Sequence, residues 1–570
     1  MRLGRWASLL AMGLLLGTSG VGYAGEARFD WFEYQGSDPA DPKTVAANEY
    51  RNPIIAGFYP DPSVTRVGED YYLVNSSFGW LPGLPVFHSR DLVTWTQISN
   101  AIARPGLVDF GTGGLTGGLF APAISHHDGL FYIVNTSFYS GGNFVVTARD
   151  PAGPWSDPVW LPDLRDGIDP SLFFDEDGRA WILNNDLPAG DKEAYDGHRA
   201  IWIQEFDAKN LKTIGPRTMI VNGGVDINTK PGYVEGPHLY KKDGFYYLTA
   251  AEGGTGTSHA QMIWRAPTPT GPYTPGPINP ILTQRDLDPN RPDPIEAAGH
   301  ADLIETQKGE WWAVFLAVRP YAGGEMFNTG RETFLLPVRW VDGWPRILPP
   351  GTPIPRTHVR PDLPAQPPAA LPTAGPVTVR DEFDGTGLPL YWMTPRRLEG
   401  GWWRLSGGSL YLTPRPVTLS DRASPSLWAR RQQHRDARFT TELSFSPDQP
   451  GQRAGLAILQ NDESWFRFTA ERLDGVRTLT VTVRAGENDP RPGRILARHP
   501  APGDGPLRLR VTARGGAYDF AVGTGKDGWQ PVLTGADGTI LSTAKARGFM
   551  GVMVGPYAEN VGQVGAAAPP

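Results

Sequence analysis

Three carboxylates share one local setting: Asp61 stands before Pro62, Asp169 before Pro170, and Glu235 before Gly236-Pro237. Proline fixes the backbone direction beside each of them. Two carboxyls of unlike environment are what glycosidic cleavage requires, one protonated to donate to the leaving oxygen and one ionised to activate water or attack carbon. A third carboxylate nearby raises the pKa of the acid by like-charge repulsion and helps to orient it. The sequence offers few other catalytic sets, since it has no cysteine and neither a G-x-S-x-G elbow nor an H-E-x-x-H helix. An isolated Asp before Pro is a common turn residue; matched placement at three sites favours chemistry. Phe78, Trp80, Phe120 and Tyr139 lie near the same strand ends and suit stacking on sugar rings. Arg331, within Gly330-Arg331-Glu332-Thr333, presents a planar fork for sugar hydroxyls or for a structural carboxylate. His300 is expected to face the same region, its plainer role being a buried, hydrogen-bonded histidine.

The elements that must position these groups recur. One unit, a short strand, a tight turn and an aromatic, β-branched strand, occurs five times between residues 58 and 318, as in Pro60-Asp61-Pro62-Ser63-Val64 followed by Gly68-Glu69-Asp70-Tyr71-Tyr72. Equivalent anchors are Asp61, Ala121, Asp169, Gly236 and His300, at intervals of 60, 48, 67 and 64 residues. Each interval accommodates a four-stranded sheet, so the chain reads as all-β, a five-bladed β-propeller over residues 25–348 with its anchors converging at one mouth of the channel. Residues 24–46 are too polar and irregular to assign. Trp155, Trp160 and Trp202 are expected between blades. Ten prolines among residues 349–376 mark a semi-rigid linker. Alternating runs such as Phe439-Thr440-Thr441-Glu442-Leu443 over residues 377–561 predict a β-sandwich, and 562–570 a flexible tail.

Composition bounds the rest. Glycine (69) and proline (56) make up more than a fifth of the chain, against roughly 12% in average usage, so the protein is folded and turn-rich. Without cysteine there is no disulfide or thiolate metal site. A net charge of −7 with no long basic run argues against nucleic-acid and anionic-membrane partners. Arg2 and Arg5, the apolar stretch Ala7–Gly17 and small residues at Gly22 and Ala24 read as a cleavable signal peptide over 1–24, placing the protein in a bacterial periplasm or outside the cell.

At these same residues the chain resembles glycoside hydrolase family 43, in particular its two-domain β-xylosidases and α-L-arabinofuranosidases. The matching stretches are Asn52-Pro53-Ile54 through Gly57-Phe58-Tyr59-Pro60-Asp61-Pro62-Ser63, His88-Ser89-Arg90-Asp91-Leu92 with Trp95, Glu235-Gly236-Pro237-His238-Leu239-Tyr240, Ala250-Ala251-Glu252-Gly253-Gly254-Thr255-Gly256 and Gly330-Arg331-Glu332-Thr333. Beyond the linker, Arg430-Arg431-Gln432-Gln433-His434 resembles the family's appended, concanavalin-like sandwich. The resemblance implies an inverting exo-hydrolase of xylo- or arabino-oligosaccharides, with Asp61 as general base, Glu235 as general acid and Asp169 tuning and orienting the acid. His300 and Arg331 match the family's axial histidine and sugar-binding arginine, and with Phe78 and Phe120 they are the expected substrate contacts. No cofactor is required; a structural calcium is placed, if anywhere, near His300. In relatives of this architecture the sandwich helps to close the pocket, and residues 424–434 are the expected approach. The chain departs from the pattern at Phe120-Ala121-Pro122, where related xylosidases usually have Trp-Ala-Pro, which leaves xylose against arabinofuranose open. Two alternatives compete. A retaining fructan or sucrose propeller hydrolase usually has Asn before its first Asp-Pro and Glu-Cys at the acid, whereas Pro60 stands here and cysteine is absent. A sugar-binding propeller without catalysis predicts loss of a carboxylate, and all three are present.

Overall fold

A computed structural model describes residues 25–525 and 528–562. The expected signal peptide, residues 1–24, lies outside the described residues, as does the tail beyond 562. Five antiparallel sheets follow one another in the chain, four of four strands and the fourth in order of five. Their innermost strands are Ser63–Val67, Ala123–His127, Ile168–Phe174, Glu235–Lys242 and Glu296–Glu305. Each pairs with the second strand of its hairpin, Asp70–Val74, Leu130–Ser137, Ala180–Asp186, Phe245–Glu252 and Trp311–Val318 respectively. The inner strands neighbour one another in sequence, and that of blade 5 neighbours that of blade 1, so the ring is closed. These are the five predicted repeats.

Burial explains the strand compositions. Trp311–Val318 (WWAVFLAV) is buried throughout, packed on both faces between blades, hence its unbroken apolar run rather than an alternation. Aromatic edges fill the seams: Tyr247 meets Trp340 at 5.0 Å and Trp311 meets Trp340 at 5.3 Å. Trp155 is buried between blades 1 and 2, and Trp160 packs against the same cluster. Trp202 differs from expectation. It is half-buried on an outer strand of blade 3, under the Arg217 guanidinium at 4.6 Å, with its indole N–H donated to the Leu187 carbonyl.

The N-terminal boundary of the propeller needs correction. Residues 27–37 form a strand of the sandwich, pairing with Val377–Asp381, Leu410–Leu412 and Asp436–Ser444. A bulge between Phe29 and Trp31 puts Phe29, Phe32 and Tyr34 all into the core, so the two-residue period that would have revealed a strand is broken. The chain then crosses to the propeller, where Glu49–Arg51 pairs with Thr357–Val359 of the proline-rich linker. The sandwich itself stacks a sheet that includes the 27–37, 436–444, 507–514 and 517–524 strands on one that includes 452–461, 464–473, 476–485 and 553–560. Phe29, Phe439, Phe468 and Phe520 are among the side chains between them. Among the described residues no helix is long and apolar enough to cross a membrane.

Candidate active site

Four of the five anchors share a backbone state that few side chains adopt: Asp61, Asp169, Gly236 and His300 have φ of 52°, 54°, 59° and 51°. In blades 3, 4 and 5 the pairing register shifts across the anchor, between Ile168 and Ser171, Glu235 and His238, and Gly299 and Asp302. Each is a bulge that turns a side chain out of the strand toward the channel mouth. At Gly236 a Cβ would stand 2.6 Å from His300 Nε2, so glycine is required and the carboxylate of that blade comes one residue earlier, from Glu235.

The three carboxylates line one pocket of about 350 Å³ together with Phe78, Phe120, Ala121, Ile168, Thr255, His300, Arg331 and Phe549. Of the residues expected at the site, Asp61, Asp169, Glu235, His300, Arg331, Phe78 and Phe120 are brought together there, and Trp80 and Tyr139 are not. Asp61 accepts on both oxygens, from Ser76 Oγ at 2.5 Å and from Arg331 Nη1 at 2.8 Å. Arg331 is thus committed to a carboxylate, and its guanidinium lies 5.6 Å from the ring centres of Phe78 and Phe549. His300 Nδ1 sits 3.8 Å from Asp61 Oδ1, and burial lowers the imidazole to about 4, so the ring is neutral at physiological pH. Asp169 accepts the Gly236 N–H at 3.2 Å.

Electrostatics separate the roles. Burial first, then the Asp61 charge, raises Glu235 to about 7, against the opposing pull of Arg331 and Arg199. Asp169 is pushed up by burial and then by Glu235 and Asp61. A half-buried glutamic acid that holds its proton near neutrality, facing an aspartate tied to a guanidinium, makes a pair of carboxyls of unlike environment, the arrangement that acid–base chemistry uses.

The aromatic rim differs in part from expectation. Phe78 and Phe120 line the pocket, ring centres 5.3 Å apart, but Trp80 is fully buried and pairs with Pro395 at the sandwich, so it cannot meet a sugar. Tyr139 is outside the pocket lining, packed over Gly113 and Gly117. Residues 424–434 reach the turn that leads to Asp61: Arg431 Nε donates to the Phe58 carbonyl at 2.5 Å and Gln433 Nε2 to that of Ala56 at 3.2 Å. The sandwich residue in the pocket is instead Phe549. Its segment closes on blade 5, with Val552 N–H donated to Asn328 O at 2.8 Å and Gly551 so near Gly330 that a Cβ on the latter would stand 2.9 Å away. Sequence reasoning missed Phe549 because an apolar residue among glycines carries no chemical signal. It also missed Ser76 and Thr255.

The residues around His300 do not make a calcium cage. A hard cation takes six or more oxygen ligands, whereas His300 is surrounded by the imidazoles of His259 and His238, the Arg331 guanidinium, and two carboxylates already hydrogen-bonded, Asp61 and Asp302. Among the described residues no group of three or more His, Cys, Asp or Glu is disposed to hold a metal.

A closed five-bladed ring with unlike carboxyls in one small aromatic-rimmed pocket defines a propeller glycoside hydrolase, here with an appended sandwich. The chain belongs to glycosyl hydrolases family 43, whose model matches residues 50–345, while that of the beta xylosidase C-terminal concanavalin A-like domain matches 380–568. It is 36% identical over 528 residues to the non-reducing end alpha-L-arabinofuranosidase BoGH43B of Bacteroides ovatus, covering 91% of this chain and 93% of that one. It is 40% identical over 418 residues to a xylosidase/arabinosidase of Butyrivibrio fibrisolvens, covering 72% and 78%. The crystal structure of a GH43_12 retrieved from capybara gut metagenome superposes with a TM-score of 0.85 at 36% identity, covering 94% of this chain and all of that one.

Proposed function

We propose that the protein is an exported, inverting exo-glycosidase that removes xylose or arabinofuranose from the non-reducing ends of hemicellulose oligosaccharides. The observation that carries this reading is the convergence of Asp61, Asp169 and Glu235 in a pocket whose walls include Phe78, Phe120 and Phe549. The pocket is small and bounded by aromatic rings, which suits a terminal sugar rather than the middle of a chain. The names of the relatives, arabinofuranosidase and xylosidase/arabinosidase, supply the two candidate sugars. Export rests on the basic, apolar and small-residue order of residues 1–24.

In the single-displacement reaction Asp61 takes a proton from water as its oxygen bonds the anomeric carbon. Glu235 delivers its proton to the glycosidic oxygen as the carbon–oxygen bond breaks, so charge and protons balance and the configuration at carbon inverts. Asp169 orients the acid by accepting the Gly236 N–H and so fixing the backbone next to Glu235. Arg331 and neutral His300 orient Asp61. Proton NMR of the first-formed sugar tests this directly. Release of the inverted anomer from an aryl β-xyloside or α-L-arabinofuranoside is expected; release of the retained anomer would replace the water-activating role of Asp61 with a nucleophilic one.

A further inference from the structure

Glu332 follows Arg331 and has no part in the chemistry described above. Arg331 reaches into the pocket, while Glu332, the first residue of the strand that follows, turns away into a fully buried site. There Glu332 Oε1 accepts the Gly57 N–H at 2.7 Å, and its two oxygens receive Arg319 Nη2 at 2.7 Å and Nε at 2.6 Å. Gly57 begins the turn Gly57-Phe58-Tyr59-Pro60 that delivers Asp61. The same turn is tied to the start of the Glu332 strand by Tyr59 N–H to Arg331 O at 3.1 Å and Thr333 Oγ1 to Tyr59 O at 2.8 Å. Both members of the Asp61–Arg331 pair therefore hang on a backbone that Glu332 clamps from behind.

The clamp continues into the other domain. Arg319, itself buried, donates through Nη1 to Asp38 Oδ2 at 2.7 Å and through Nη2 to Gln433 O at 3.4 Å. Arg435 forks onto Asp38 at 2.5 and 2.9 Å. Asp38 directly follows the sandwich strand 27–37, and Arg435 directly precedes the strand 436–444. An unbroken line of buried, charge-assisted hydrogen bonds thus runs from the sandwich to the turn carrying Asp61.

We infer that Glu332 is a positioning residue for water activation at Asp61, and that through Arg319 and Asp38 the docked sandwich fixes the base side of the site as well as contributing Phe549 to the pocket. The inference rests on the assignment of Asp61 as general base. Its test uses the full chain, comparing Glu332→Gln, which drops the charge but keeps an oxygen for Gly57, with Asp38→Asn at the sandwich end. The probes are p-nitrophenyl β-xyloside and β-xylosyl fluoride, or the α-L-arabinofuranosyl pair if the parent prefers it. Fluoride departs without needing a strong proton donor, so its hydrolysis reports the water and base side alone.

For both variants kcat is expected to fall about ten- to a hundredfold on both probes, the scale of a misplaced reacting group. KM should stay within about threefold and near-UV circular dichroism should stay native. Loss of rate that only tracks the folded fraction would be a structural effect and would overturn the inference. So would kcat within about twofold of the parent, or loss confined to the aryl glycoside. If Glu332→Gln does not fold, Asp38→Asn decides by the same criteria. Asp61→Asn and Glu235→Gln serve as separate controls: near-normal turnover in these would remove the functional reading itself, whereas their loss beside a normal Glu332→Gln removes only this inference.

Discussion

Replacing Glu235 by Gln should disable the enzyme and at the same time stabilise it, by an amount that grows with pH. The carboxyl is raised in the folded protein from 4.5 to about 7, and at about 1.4 kcal/mol per tenfold change in proton affinity that rise is worth about 3 kcal/mol. The sign follows from which state binds the proton more tightly. Below about pH 4 the group is protonated folded and unfolded alike and contributes no difference. As pH rises from about 4.5 toward about 7, the unfolded chain releases its proton while the folded one retains it, and stability falls; above about 7 the loss is complete. Gln has nearly the same shape and no charge to desolvate, so the variant escapes the loss. Calorimetric melting of parent and variant between about pH 4 and pH 8.5 should give coincident transitions at the acid end and a higher transition for the variant at the alkaline end. Turnover on a substrate that needs protonation of its leaving group should drop by about 10²–10⁴, and the parent's kcat/KM should decline as pH passes about 7. Melting curves that stay parallel across the range would refute the account, because they would mean that Glu235 ionises as it does in the unfolded chain.

Two further substitutions probe the pocket walls. Phe549→Ala removes the ring that meets Phe78 at 5.8 Å and the Arg331 guanidinium at 5.6 Å; KM for aryl glycosides is expected to rise about five- to tenfold, and an unchanged KM would show that the sandwich does not bound the sugar site. Phe120, packed at 5.2 Å on Phe138 and 5.3 Å from Phe78, stands where related xylosidases usually have Trp, and Phe120→Trp is expected to change the ratio of xylosidase to arabinofuranosidase activity by at least about threefold, whereas a constant ratio would place the selection elsewhere.

The propeller is legible in the sequence because its repeat is local: turn residues such as Asp128-Gly129 and Asp243-Gly244 recur at the same offset from an aromatic strand, and the hairpins of blades 2 and 4 close over them. The acidic site is legible for the same reason, since the carboxylates sit at one fixed place in that unit. What escaped notice depends on contacts far apart in sequence. The 27–37 strand belongs to a sheet whose other members lie some 350 or more residues later, and its bulge hides the alternation that would have marked it. Arg331 carries no sign in its own neighbourhood that its partner is Asp61, 270 positions away. Trp80 is conspicuous as an aromatic beside the site, yet only the docked sandwich shows that its ring is sealed off.

The placement of the anchors explains why these blade entries, and not others, carry the chemistry. A left-handed backbone costs a residue with a Cβ about 1–3 kcal/mol, yet Asp61, Asp169 and His300 all adopt it. Ala121, the blade 2 anchor, does not, and blade 2 brings only Phe120 and Ala121 to the pocket wall. Strain and inward-facing polar side chains thus occur together, as they would if the bulge were what aims the side chain at the axis. Blade 4 shows the limit of the device. With His300 already against Gly236, a second side chain cannot occupy that anchor, and the acid is displaced by one residue to Glu235, where the strand has not yet turned. That offset gives Glu235 a different setting from Asp61: Asp61 is locked by Arg331 and Ser76, while Glu235 keeps a raised affinity for its proton. The asymmetry that the reaction needs therefore arises from the crowding of four left-handed strand entries around one axis, and the burial that sustains it is the same burial that makes the ionised site unfavourable for folding.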